Sequence, residues 1–246
     1  MTKAKIEPVR TMVNFLRNRL SDVNSSRSGQ WILPEFPRIT GLGDAHFPRI
    51  GIITLSESSK AMSMFENNRY ETITFQIDVI AKKDQVHTLT VTDEALGTIS
   101  SGVNSNRLVY NYIPYSVTNI KHNTTAYGTV TQRATDSAFT TPSAGTVEYS
   151  YSTGNLNFSS TDVTGHDGQS ITSTYAVKLE GQSLVNYYAR EIDKAIQNYW
   201  RTDVTINGLF YPVKINNSHF PLDEVLGIYR QVLEFQFNAF NLGEGL

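Results

Sequence analysis

Apolar residues recur along the chain with two periods, and the switches between them mark out its elements. Val9, Met12, Val13, Leu16 and Leu20 repeat at the three-to-four spacing of one helical face, with Pro8 suited to a first turn, which predicts an opening helix. Pro34, Pro37, Gly41, Gly43 and Pro48 then punctuate an extended connection that supports no helix. From residue 49 the period falls to two. Residues 49–55 form a short β-branched strand, and 70–82 a longer one with Ile73, Phe75, Ile77 and Val79 on one face and Thr72, Thr74, Gln76 and Asp78 on the other. The polar link 56–69 makes the two a long-looped hairpin with one face on a core.

The helical period returns at Gly181, where Val185, Tyr188, Ile192, Ala195, Ile196 and Tyr199 form a continuous stripe expected to pack on the sheet. Asn207-Gly208, between 204–206 and 209–213, is the two-residue turn sequence best matched to hairpin twist. Residues 228–240 alternate Leu233, Phe235, Phe237 and Ala239 against Glu234, Gln236 and Asn238, a second long strand.

Composition changes the picture between these flanks. Residues 93–180 hold 27 Ser or Thr among 88 positions and only 11 charged side chains. Short alternating segments at 108–113, 146–151, 156–158 and 171–179 are separated by Gly, Ser, Thr and Asn turns, and 147–158 reads as a hairpin turning on Gly154. The predicted fold class is therefore α+β: a small helix-on-antiparallel-sheet core, residues 1–92 with 181–246, carrying an inserted all-β, sandwich-like module at 93–180. The core's apolar faces complement one another without the insert, so the insert is expected to be an autonomous decoration that can be excised.

Charge and chemistry narrow the function. The 246 residues carry a formal charge of −2, 18% charged side chains and no cysteine, which excludes disulfides, thiolate zinc sites and cysteine nucleophiles, and argues against a dedicated polyanion binder. No apolar run is long enough to span a membrane, and the N-terminus lacks the unbroken apolar core of a signal peptide, so a cytoplasm is the expected setting. His46, His87, His122, His166 and His219 fall in five segments without ligand-like spacing, so no metal is expected. Gly165-His166-Asp167-Gly168 reads as a turn, and Gly41-Leu42-Gly43-Asp44-Ala45-His46 as a loop without the third glycine or helix of a phosphate cradle. Basic residues outnumber acidic ones before residue 50, without the interleaved aromatics of a single-strand binder. An acidic protein partner is the sharper alternative to a solvated face there.

The order of segments resembles tail terminator proteins of long-tailed phages, also called tail completion or head–tail joining proteins. The likeness covers the two flanks: an N-terminal helix, Pro48-Arg49-Ile50-Gly51-Ile52-Ile53, a polar loop, the strand 70–82, a helix at 184–199, and the run 221–241 with Leu222-Asp223-Glu224 and a terminal Phe237-Asn238-Ala239-Phe240-Asn241. The resemblance implies a virion protein, assembled in the host cytoplasm, that forms a homohexameric ring, caps the tail tube, stops its polymerisation and meets the head connector or neck protein. Genome DNA would pass through the lumen without specific binding, and no catalysis, cofactor or membrane contact is implied. The inserted module departs from that family's compact pattern, and its Tyr-Ser-Thr-Gly hairpin resembles β decorations of virion proteins.

On this reading the strands 70–82 and 228–240 are expected to be sheet edges whose polar faces, with Gln76, Asp78, Glu234 and Gln236, meet neighbouring subunits. The loop carrying Lys60, Met62, Met64 and Phe65 up to Arg69 is expected to contact the tail tube or a neighbour, because apolar side chains on a mobile loop need a partner. Two alternatives stay open. One is a carbohydrate-binding adsorption protein, if Tyr110, Tyr112, Tyr115, Tyr149 and Tyr151 expose their rings in one patch. The other is an enzyme whose pocket between core and insert gathers His, Asp and Arg.

Overall fold

A computed structural model describes residues 7–24, 27, 29–35, 42–61, 69–99, 105–106, 114–127, 129–203, 206 and 208–241. In chain order the elements are α1 (Pro8–Arg19), β1 (Ile32–Leu33), β2 (Arg49–Ala61), β3 (Arg69–Lys82), β4 (Val86–Thr98), β5 (Ser105–Asn106), β6 (Ser116–His122), β7 (Thr125–Ala126), β8 (Thr129–Arg133), β9 (Thr146–Ser150), β10 (Leu156–Phe158), α2 (Ser160–Val163), β11 (Ser170–Glu180), α3 (Gly181–Tyr199), β12 (Leu209–Asp223) and β13 (Ile228–Asn241). The class is α+β and sheet-dominated. The chain divides into two compact units, residues 1–87 with 179–246, and residues 88–178.

The first unit is a five-stranded sheet in the order β1-β2-β3-β13-β12, with α1 and α3 packed on it. Alternation places Ile52, Ile77 and Leu233 in register across three strands, with Phe75 opposite Phe235 and Ile73 opposite Phe237. These residues are fully or almost fully buried, as are Met12, Phe15 and Leu16 of α1 and Leu184, Val185, Tyr188, Ile192 and Ile196 of α3. Phe75 and Phe237 meet edge-to-face with centroids 5.6 Å apart, the arrangement that ring quadrupoles favour. The Tyr188 hydroxyl accepts from Val23 N at 2.9 Å and donates to Ser21 O at 3.2 Å, so the ring's polar end is satisfied inside the core. Gly181 opens α3 at φ +48°, where a Cβ would stand 2.8 Å from the Tyr229 ring; glycine alone fits without displacement.

Several elements differ from the pattern-based expectation. The strand expected at 49–55 continues to Ala61, and much of the supposed polar link is paired, Ser58 with Thr72 and Lys60 with Tyr70. Its side chains from Leu55 to Lys60 are exposed, so no apolar alternation marked it. Of the hairpin expected around Asn207-Gly208, residues 204, 205 and 207 lie outside the described residues; before it, Asp203 N bonds to Tyr199 O and Ile206 N to Asp203 O. β12 itself runs to Asp223 rather than 213, and its hairpin with β13 closes where Asp223 Oδ1 accepts from Val225 N and Leu226 N, both at 3.0 Å. Tyr199, assigned to the buried stripe, is exposed, with the Arg19 guanidinium 4.3 Å from its ring centroid.

The second unit holds two four-stranded sheets, β5-β10-β9-β8 and β4-β11-β6-β7. The hairpin at 147–158 forms as the pattern implies, Phe158 opposite Val147 and Leu156 opposite Tyr149, with Gly154 at φ +78° in its turn. The segment expected at 108–113 lies outside the described residues. Most of β4, β6 and β8 lay outside the expected segments. In β6 the buried residues are Val117, Ile120 and His122, a spacing broken by a bulge opposite Thr174 and Tyr175, so strict alternation fails there.

Candidate functional site

The topology corrects the expectation that β3 and β13 are sheet edges. They pair with each other along the whole of both strands and occupy the sheet interior, flanked by β2 and β12. Their polar side chains therefore face one another. Asp78 is only 1% exposed: it accepts from Arg230 Nε at 2.6 Å and from Gln76 Nε2 at 2.6 Å, and pairs with Arg230 Nη2 at 2.5 Å. Gln76 stands opposite Glu234 and Thr74 opposite Gln236, with Gln76, Glu234 and Gln236 half-buried. This ladder holds the middle of the sheet together; Asp78 is committed inside it and offers no partner surface. Lys60 is exposed near the end of β2, and Arg69 opens β3 opposite Ala61. Met62, Met64 and Phe65 lie outside the described residues.

The true edges lie at the two sides of the sheet. β1 covers only Ile50 and Gly51 of β2, so among the described residues the outer side of β2 beyond Gly51 has no strand partner. β12 pairs with β13 on one side and, among the described residues, with nothing on the other. At alternate positions of that edge, Tyr211, Val213 and Ile215 are 61%, 54% and 49% exposed. A long edge strand bearing apolar side chains in water is a template for further pairing.

The second unit assembles polar groups that no sequence spacing announced. His122 and His166, distant in sequence, bring their rings to 4.5 Å between centroids, and the Tyr127 hydroxyl lies 3.2 Å from His122 Nδ1. Burial, reinforced by the neighbouring His166, holds the His122 imidazole below its ordinary pKa. His166 Nδ1 is buried and makes no hydrogen bond among the described residues. The segment carrying His166 is a turn, with Gly165 and Gly168 at positive φ.

Glu148, with a side chain 3% exposed, accepts from Arg133 Nε at 2.8 Å and Nη2 at 2.5 Å, Thr140 N and Oγ1 at 2.7 Å each, and Asn157 Nδ2 at 3.0 Å. Burial alone would push this carboxyl up; the bonds from Thr140, Asn157 and Arg133 outweigh it and hold the pKa down at about 2. Of the tyrosines singled out in the sequence, Tyr115 and Tyr151 are exposed and line one hollow, Tyr149 is 1% exposed, and Tyr110 and Tyr112 lie outside the described residues.

Among the described residues no three His, Asp or Glu side chains converge as a metal site, and no helix is long and apolar enough to cross a membrane. Compared with protein-family models, curated proteins and solved structures, the chain matches none.

Proposed function

We propose that this chain is a phage tail terminator: a virion ring subunit that caps the tail tube, stops its polymerisation and joins it to the head connector or neck protein. The observation that carries the reading is the pair of open edges on opposite sides of one sheet, β12 on one flank and the outer part of β2 on the other. When two unlike edges of the same subunit meet head to tail, each contact regenerates a free edge until rotation closes the ring. The exposed Tyr211, Val213 and Ile215 supply apolar area that the contact removes from water. A hexamer is the expected closure, with genome DNA crossing the lumen unread, and the role needs neither catalysis nor cofactor.

Met62, Met64 and Phe65 are proposed to touch the tail tube or the next subunit. Native mass spectrometry, with electron microscopy of the purified chain alone and with tail tubes, tests the reading. The wild type is expected to form closed rings, and Val213→Lys with Ile215→Lys to dissociate them while the monomer keeps its cooperative melt. A monomer throughout, with no ring on tail tubes, overturns it.

A further inference from the structure

We propose that the second unit carries a binding site for one or two sugar rings of a neutral oligosaccharide, formed by Tyr115, Tyr151, Gln132 and Arg133. The inference stands apart from the ring assembly, since it uses residues of the second unit alone. These four side chains, with Ser116 and Ala134, line a hollow of about 610 Å³. The hollow is shallow and open to solvent, the shape of a surface groove rather than an enclosed pocket.

The backbone around the hollow is held by hydrogen bonds. Tyr115 is tied to β11 by its backbone N–H, which donates to Ala176 O at 2.7 Å. Tyr151 N donates to Arg133 O at 2.8 Å, which seats the second tyrosine directly beside the arginine. The turn that follows Tyr151 is pinned by Asp136, which accepts from Thr153 Oγ1 and Asn155 Nδ2 at 2.6 Å each, and by Gly154 N bonding to Ser150 O at 2.9 Å. Arg133 is held by the buried Glu148 through two of its nitrogens and stays about one-third exposed. A buried carboxylate with this many donors is a costly way to hold one surface arginine, and its effect is to fix the guanidinium at the hollow's wall.

The chemistry selects the ligand. Tyr115 and Tyr151 are 56% and 46% exposed, so two phenol side chains stand in water beside the same hollow. Gln132, Arg133 and Ser116 add amide, guanidinium and hydroxyl groups around them. A ligand with flat C–H faces and a hydroxyl-rich rim satisfies both, and a pyranose is such a ligand. The arginine's charge is offset by Glu148, so the site offers donors without the net positive charge that phosphates or carboxylates require.

Saturation-transfer NMR on the full chain tests this with maltohexaose, cellohexaose and N-acetylchitohexaose, and with hexagalacturonate and a proline-rich peptide as competing chemistries. At least one neutral oligosaccharide is expected to receive transfer. Tyr115→Ala and Tyr151→Ala should each weaken that binding about tenfold, as loss of one ring contact predicts, whereas Tyr151→Phe keeps it. Both positions are exposed, so an unchanged melt certifies the fold of each variant. Three results overturn the proposal: no transfer to any neutral oligosaccharide at millimolar concentration, transfer unchanged in the double alanine variant, or preference for the uronate or the peptide.

Discussion

The two units of this chain bury different chemistry. The first encloses Phe, Ile, Leu and Met between two helices and one sheet, and among its described residues the buried polar groups are Asn24, which donates to Ala45 O and Phe47 O, Thr74, Asp78 with Arg230, Asp203 with Arg19, and Gln231, which donates to Asn217 Oδ1. The second buries Glu148, Asn157, Ser150, Ser159, Ser173 and His122 beside its aromatic residues. Apolar burial is non-directional and scales with area, whereas a buried carboxylate is tolerable only when its bonds are made at specific atoms. The first unit, which spreads such groups over the longer stretch of chain, therefore leans more on volume and the second more on hydrogen-bond geometry, and substitutions should separate the two.

The largest effect is expected at Phe75. Phe75→Ala removes a fully buried ring and its contact with Phe237, a cavity that costs about 3–5 kcal/mol. Both tryptophans, Trp31 and Trp200, belong to the first unit, so emission during chemical denaturation reads that unit selectively. Its transition should move while hydrogen exchange of the second unit's amides holds. Next, Glu148→Ala takes the carboxylate acceptor from Arg133 and Thr140 N and leaves Asn157 Nδ2 only its bond to Thr140 O, at about 2–4 kcal/mol. The pattern of effects should invert, with exchange accelerating in β8, β9 and β10 and tryptophan emission unmoved.

A smaller effect separates the units by pH. Folding holds His122 neutral, with its pKa depressed from 6.5, so the unfolded chain takes up the proton first. The stability this group contributes is full above 6.5 and is lost as pH falls from there through the lower folded pKa. His166→Asn removes one cause of the depression, and the decline in second-unit protection as pH falls below 6.5 should flatten. An unchanged slope would show that the paired imidazoles are not its origin.

The smallest effect is expected from removing the second unit altogether. Gly181 N bonds to Gln85 O at 3.4 Å, so the chain leaves the first unit and re-enters it at adjacent points. Excising 88–178 should leave the tryptophan-monitored transition of the remainder close to that of the whole chain. Insolubility of the shortened chain would show that the second unit completes the core.

Legibility in the sequence followed the same division. α1, α3, β3 and β13 were readable because each lays one apolar face on a core, and that periodicity is written residue by residue. The outer part of β2 and the far half of β12 were missed because exposed edge strands carry no such signal: Ser56–Lys60 and Asn216–His219 look like loop. That silence bears on function: with the outer parts of β2 and β12 unmarked, the pattern leaves β3 and β13 as the sheet's edges, a place that β2 and β12 hold. Glu148 meets Arg133 across the pairing of β8 with β9, and His122 on a strand meets His166 in a turn, so no local motif could disclose either contact. Tyr115 and Tyr151 were visible as candidates; only the fold separates them from the buried Tyr149.

The central claim, a ring built through the two open edges of one sheet, is tested most directly by cross-linking between them. Cysteines placed singly at exposed Ser58 on β2 and Asn217 on β12, in a chain that has none of its own, allow mild oxidation to join only positions brought together between subunits. The account predicts that an equimolar mixture of the two variants yields the mixed disulfide dimer on non-denaturing assembly, and that the double variant yields a closed covalent ladder ending at the hexamer. A ring that assembles yet gives no mixed disulfide from neighbouring positions scanned along both edges, or a chain that stays monomeric, would contradict it.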